Sequence, residues 1–136
     1  MVKMSMIYQG EKHCLLTHIS SGSKIETDAP KDNQGKGERF SPTDLLGASL
    51  GSCILTTMAI VAERDGINIT GATAEVEKEM VANPRRVGSL RVKVTLPQTL
   101  KTDEKTKLEE TARHCPVHQS LHPDVQIPLT FEYKSY

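Results

Sequence analysis

The chain has no tryptophan, and only Tyr8, Phe40, Phe131, Tyr133 and Tyr136 are aromatic. So few rings leave little to build a base-stacking platform from. It also lacks an excess of either charge, with 17 basic and 17 acidic residues. That balance argues against nucleic acid and against a polybasic membrane anchor. The three cysteines are too few, and odd in number, for a secreted disulfide scaffold. A reducing cytoplasm is therefore expected, where cysteines are usually catalytic or metal-binding rather than structural. The opening Met1-Val-Lys-Met-Ser-Met-Ile-Tyr8 is too short and polar to read as a secretory signal. No internal repeat or low-complexity segment is present. The longest weakly charged run, Leu45 to Ala62, is broken by Ser, Thr and Gly and reads as a core helix rather than a membrane span.

At 136 residues the chain fits one domain, 1–136, that can bury a core without staples. Short apolar and β-branched pieces at Met4–Tyr8, His13–Ile19 and Ser23–Thr27 predict hairpin-connected strands. Asp28–Glu38 is a Pro, Gly, Asn and Lys-rich loop. Ser41-Pro42-Thr43-Asp44 is a helix start, with Ser41 as cap, Pro42 in the first turn and Asp44 closing a capping box. Apolar and small residues on every side of Leu45–Ala62 predict a helix buried all round, ending near Asp65-Gly66. Gly47, Ala48, Ser49, Gly51 and Ser52 predict close approach of a second helix, for instance the same helix of another copy.

A strand with one wet face is expected within Ile67–Met80, and a half-buried strand at Val87–Leu96, where Leu90, Val92, Val94 and Leu96 alternate with polar residues. Thr102 is the expected cap of an amphipathic helix reaching His114. Pro116 breaks it and opens a second short helix, and Val125–Tyr133 is the last strand. This order of elements is α+β.

Two cysteines stand in marked surroundings. Cys53 lies on the helix of small residues, and Cys115 lies 62 positions later in His114-Cys-Pro-Val-His118. A thiol attacks as thiolate, and an oxidised one can be resolved by a second thiol, so two cysteines suffice to reduce a peroxide without metal or haem. An inert core cysteine is the other reading of Cys53. His114, Cys115, His118 and His122 are too poor in paired ligands for a zinc site, and no metal or cofactor is expected. A Cys53–His118 hydrolase pair is a third arrangement, and His118 is also placed to tune Cys115. Cys14, on a strand, reads as incidental.

The run Ser41-Pro-Thr-Asp-Leu-Leu-Gly-Ala-Ser-Leu-Gly-Ser-Cys53 resembles the central-helix motif of the OsmC/Ohr family, the osmotically inducible and organic hydroperoxide resistance proteins. Cys115-Pro-Val-His118, between a helix and a strand, is similar to that family's second-cysteine motif. The resemblance covers nearly the whole chain. It implies antiparallel sheets packed around a buried central helix, in an intertwined homodimer with interfacial active sites. It also implies a thiol peroxidase for organic hydroperoxides, with Cys53 peroxidatic, Cys115 resolving and a dithiol reductant, lipoyl-bearing proteins in the best-known branch. Such a protein would use neither nucleic acid nor membrane.

Two departures from the family pattern stand out. The family's glutamate position is Thr43 here, and the nearest carboxylate is Asp44. Asp44 and Cys53 are nine residues apart, about 13 Å of helix rise and on opposite faces, so Asp44 could serve the same site only from a partner chain. The family's N-terminal arginine is missing, since none precedes Arg39, which leaves Arg39, Lys24 or His18 as candidate cations, with Arg39 also a candidate partner of Asp44. These departures motivate the alternative function, a non-catalytic small-molecule-binding dimer on the same scaffold.

Overall fold

A computed structural model describes residues 1–136, in two compact units, Met1–Leu46 and Gly47–Tyr136. The N-terminal unit is an antiparallel meander of β1 (Met4–Tyr8), β2 (His13–His18) and β3 (Lys24–Asp28). Gly10 takes φ +90 in the first turn, a conformation that glycine reaches without a Cβ penalty. The pairing Met6↔Leu16↔Ile25 and Tyr8↔Cys14↔Thr27 fixes which side chains share a face. One face carries Met4, Met6, Tyr8, Cys14, Leu16 and Ile25, and the other carries His13, Glu26 and Asp28. Strand β1 is exposed along its whole length. The loop after β3 holds one short 3-10 turn, Lys31–Asn33.

Helix α1 (Pro42–Arg64) begins and ends as its sequence signals direct. The Asp44 N–H donates to Ser41 Oγ (3.0 Å), and the Ser41 N–H donates to Asp44 Oδ2 (2.9 Å), a reciprocal capping box. At the far end Ile67 N–H reaches Ala62 O at 2.8 Å and Gly66 N–H reaches Glu63 O at 3.1 Å, with Gly66 at φ +70. That is the Schellman arrangement, which satisfies the last carbonyls.

The C-terminal unit contains most of α1, then β4 (Thr73–Val81), β5 (Arg86–Pro97), α2 (Thr102–Ala112), α3 (Pro116–Ser120) and β6 (Leu129–Lys134). Strands β4 and β5 form an antiparallel hairpin, while β6 joins β5 in parallel. The second sheet is therefore mixed rather than purely antiparallel. The cause is the long helical crossover between β5 and β6, which carries the chain back to the start of β5 before it pairs. Pro128 has no N–H to give, and the regular ladder begins only at Leu129, later than the expected Val125.

The inner face of this sheet supplies Leu90, Val92, Val94 and Leu96, all fully buried with Leu50, Ile54 and Met58 of α1 and Leu108 and Ala112 of α2. The expectation that α1 is buried on every side is not met within the chain. Gly47, Leu50, Gly51, Ile54, Met58 and Ala62 are buried, at the three- and four-residue spacing of one helical face. Ser49, Ser52, Thr56 and Ile60 are exposed. The glycines also have a different use from the one expected. A Cβ on Gly47 would stand 3.3 Å from Leu90 and Val76, and one on Gly51 3.0 Å from Val76. Within the chain they let α1 settle onto the β4–β5 sheet. Helix α2 is capped at Lys101 rather than Thr102, because the Glu104 carboxylate accepts the Lys101 N–H at 2.8 Å, and that closure works whatever side chain precedes it.

Candidate active site

Cys53 and Cys115 both lie in the C-terminal unit. Cys53 follows the glycine face of α1 and is half-buried, while Cys115 is fully buried at the α2–α3 junction. Pro116 disfavours the helical conformation at the residue before it. Cys115 accordingly adopts φ -67, ψ 151 and becomes the N-cap of α3, where its sulfur accepts the His118 N–H at 3.4 Å. The two thiols, 62 positions apart in sequence, are both free and near enough for Cys53 to bear on the Cys115 thiol.

Burial pushes the Cys115 thiol up from its usual value of 9.0. The His118 N–H opposes that shift, and Cys53 adds to it. Burial therefore favours the protonated thiol at Cys115 near neutrality. The chemistry open to the pair is attack by Cys53, the more accessible sulfur, followed by condensation with Cys115. Thr57, one turn beyond Cys53, places Oγ1 3.8 Å from Cys53 Sγ. Its only trace in the sequence is the four-residue spacing.

His118 meets Cys115 through its backbone, not its imidazole. His114 is engaged at the surface by Glu110 (2.9 Å) and Gln119 (3.3 Å), and His122 Nδ1 accepts the Asp124 N–H (3.0 Å). No set of three or more His, Cys, Asp or Glu side chains is placed to hold a metal ion. The Asp44 carboxylate accepts the Ser41 N–H at the start of α1. Of the cation candidates, Arg39 Nε is 3.4 Å from Glu26 and its Nη1 donates to Glu38 O, while His18 Nδ1 is 2.6 Å from Ser21 Oγ. Lys24 lies at the exposed start of β3.

The N-terminal unit holds a network that a linear reading does not reveal. His13 Nδ1 is 2.6 Å from the buried Asp28 Oδ1, and Nε2 is 3.1 Å from Glu26. The β2–β3 register assembles it, since His13 pairs with Asp28.

Residues 35–130, which include both cysteines of the pair, match the family described as OsmC-like protein. The chain belongs to that family. A protein of Psychrobacter arcticus of known crystal structure, assigned provisionally to osmotic stress induction and detoxification response, is 45% identical. The alignment covers 97% of this chain and 96% of that one, with a TM-score of 0.93. The organic hydroperoxide resistance protein OsmC of Legionella pneumophila shares the fold at 17% identity, 97% and 96% coverage and a TM-score of 0.78. OhrB, the organic hydroperoxide resistance protein of Bacillus subtilis, does so at 17% identity, 97% and 98% coverage and a TM-score of 0.72. Curated protein sequences give no match.

Proposed function

We propose that this OsmC-like chain is a thiol-dependent peroxidase for organic hydroperoxides, acting in oxidative stress defence. The observation that carries the reading is that the fold brings Cys53, half-buried, near the buried Cys115, both as free thiols. The hydroperoxide resistance named for the Legionella and Bacillus relatives supports the substrate class. The Cys53 thiolate attacks one peroxide oxygen, so that an S–O bond forms and the O–O bond breaks. The sulfur is oxidised by two electrons, and the alkoxide leaves and takes a proton to become the alcohol. The Cys115 sulfur then attacks the sulfenic acid, an S–S bond replaces S–O, and water departs. An external dithiol reduces the disulfide by exchange and is itself oxidised. The cycle requires a reducing compartment, which agrees with a cytoplasmic location.

The working form in this reading is a homodimer. Met4, Met6 and Tyr8 share one face of β1 and are each more than half exposed, an apolar surface that a second copy would cover. Asp44, whose carboxylate caps α1, would take part in catalysis only from the partner chain.

Purified protein supplied with cumene hydroperoxide and a dithiol is expected to consume peroxide, and Cys53→Ser is expected to abolish turnover. Equal consumption by the variant would remove the reading. A groove of about 620 Å³ along α1, lined by Leu55, Thr56, Ala59, Ile67 and Ile69, favours the second reading, a non-catalytic small-molecule-binding dimer. Saturable ligand stabilisation without peroxide consumption would select it.

A further inference from the structure

A sulfur nucleophile is set up by whatever donates to it, and the sequence offers Cys53 no arginine before Arg39. The side-chain hydrogen-bond partner of Cys53 Sγ is Thr57 Oγ1, at 3.8 Å. A threonine inside a helix commonly returns its hydroxyl to a carbonyl one turn back. Thr56, Thr106 and Thr111 do so, to Ser52 O at 3.0 Å, Thr102 O at 3.0 Å and Lys107 O at 2.8 Å. Thr57 departs from that habit. Its hydroxyl lies against the sulfur of Cys53, although the Cys53 carbonyl is the group that the habit would select.

The difference has a chemical consequence. A neutral thiol is a weak acceptor, whereas a charged acceptor makes bonds about twice as strong, so the hydroxyl gains most when Cys53 is ionised. Thr57 is half-buried, which limits competition from water. Hydrogen bonds at a reacting atom are often long in the resting protein and shorten when charge develops. We propose that the Thr57 hydroxyl donates a hydrogen bond to the Cys53 sulfur and anchors its thiolate. Cys53 is then served by a neutral hydroxyl of its own helix. The inference rests on the reading of Cys53 as the nucleophile and deepens it. It holds whichever electrophile the thiolate attacks.

The test is the rate of Cys53 alkylation by iodoacetamide as a function of pH, with the labelled residue identified by mass spectrometry. Wild type is compared with Thr57→Val, which keeps the shape and loses the hydroxyl, and with Thr57→Ser, which keeps the hydroxyl. Thr57→Val should move the midpoint of the rate profile up by about one pH unit and slow alkylation about tenfold on its acidic limb. Thr57→Ser should keep the wild-type midpoint. A merely structural threonine would lower the melting temperature of the valine variant and leave the profile in place.

Superimposable wild-type and Thr57→Val profiles, or a serine variant that behaves like valine, would overturn the proposal. Should Thr57→Val fail to fold, Thr57→Ala, which a helix tolerates better, is read in its place. Failure here is distinguishable from failure of the peroxidase reading. Turnover that survives Cys53→Ser defeats the peroxidase and leaves the alkylation shift intact, whereas an absent shift with turnover lost in Cys53→Ser defeats only the role of Thr57.

Discussion

Gly51→Ala tests how closely α1 must approach its sheet for the two thiols to meet. The added Cβ would stand 3.0 Å from Val76 Cγ2 and 3.7 Å from the Ala74 Cβ. Two effects oppose each other. Alanine in a helix interior is favoured over glycine by about 1 kcal/mol. Overpacking a filled core costs about 1–3 kcal/mol. Val76 is β-branched and sits on β4, so its methyl has no easy rotamer to escape into, and the helix must withdraw by a few tenths of an ångström. The balance predicts a net loss of about 1 kcal/mol. Unfolding in urea, followed by circular dichroism, measures it directly, and the melting temperature should fall by several degrees. Because Cys53 follows Gly51 by two residues on the same helix, withdrawal should also slow disulfide formation after a single equivalent of hydroperoxide. Gly47→Ala is the internal control. Its Cβ would meet Leu90 and Val76 at 3.3 Å, a contact small side-chain movements can relieve, so its stability should stay near wild type. A Gly51→Ala protein more stable by the full ~1 kcal/mol helix term, with an unchanged rate of disulfide formation, would refute the reasoning.

Two further outcomes are expected. Cys115→Ala removes the thiol that the proposed cycle uses to resolve, so peroxide should leave Cys53 as a long-lived sulfenic acid that dimedone labels in near-stoichiometric yield; equal labelling of wild type would show that Cys115 does not resolve it. In the N-terminal unit, the hydrogen bond to Asp28 holds His13 above the usual 6.5, and the same bond holds Asp28 below the usual 3.8. The histidine contribution to stability is complete below its unfolded pKa and is lost as pH rises through the raised folded value. The aspartate contribution is complete above its unfolded pKa and is lost as pH falls through the lowered folded value. Amide exchange in β2 and β3 should therefore be slowest between those two limits. After correction for intrinsic exchange rates, protection should weaken as pH rises from about 6 to about 8 in wild type, and His13→Gln should abolish that change. Persistence of the alkaline loss in His13→Gln would assign it to another group.

Signals that act over a few residues are legible in this sequence. Ser41, Pro42 and Asp44 start α1 because a capping box closes within three residues. Gly66 ends it because one residue at positive φ satisfies the last carbonyls. Alternation along Val87–Leu96 marks a one-faced strand because side chains repeat every second residue. Pro116 separates two helices because of what it forbids at Cys115. The face of α1 was not legible. Apolar and small residues surround the helix, so periodicity could not choose which side meets the sheet, and only packing against Val76 and Leu90 identifies Gly47 and Gly51 as the contact. The cap at Lys101 was missed because Glu104 supplies the closing group and a lysine carries no capping signal.

The sequence by itself determined the kind and order of the helices and strands, that Cys53 sits on an apolar helix, and that Cys115 is held at a break before a proline, since each follows from local sterics and hydrogen bonding. Tertiary structure alone decided the rest. The helical crossover turned β6 parallel to β5. The meander brought His13 to Asp28. Packing within the C-terminal unit brought Cys115 near Cys53 and buried it, which raises its thiol, while Cys53 stays half-buried. Desolvation and through-space contact depend on what the whole chain encloses, and no stretch of a few residues encodes them.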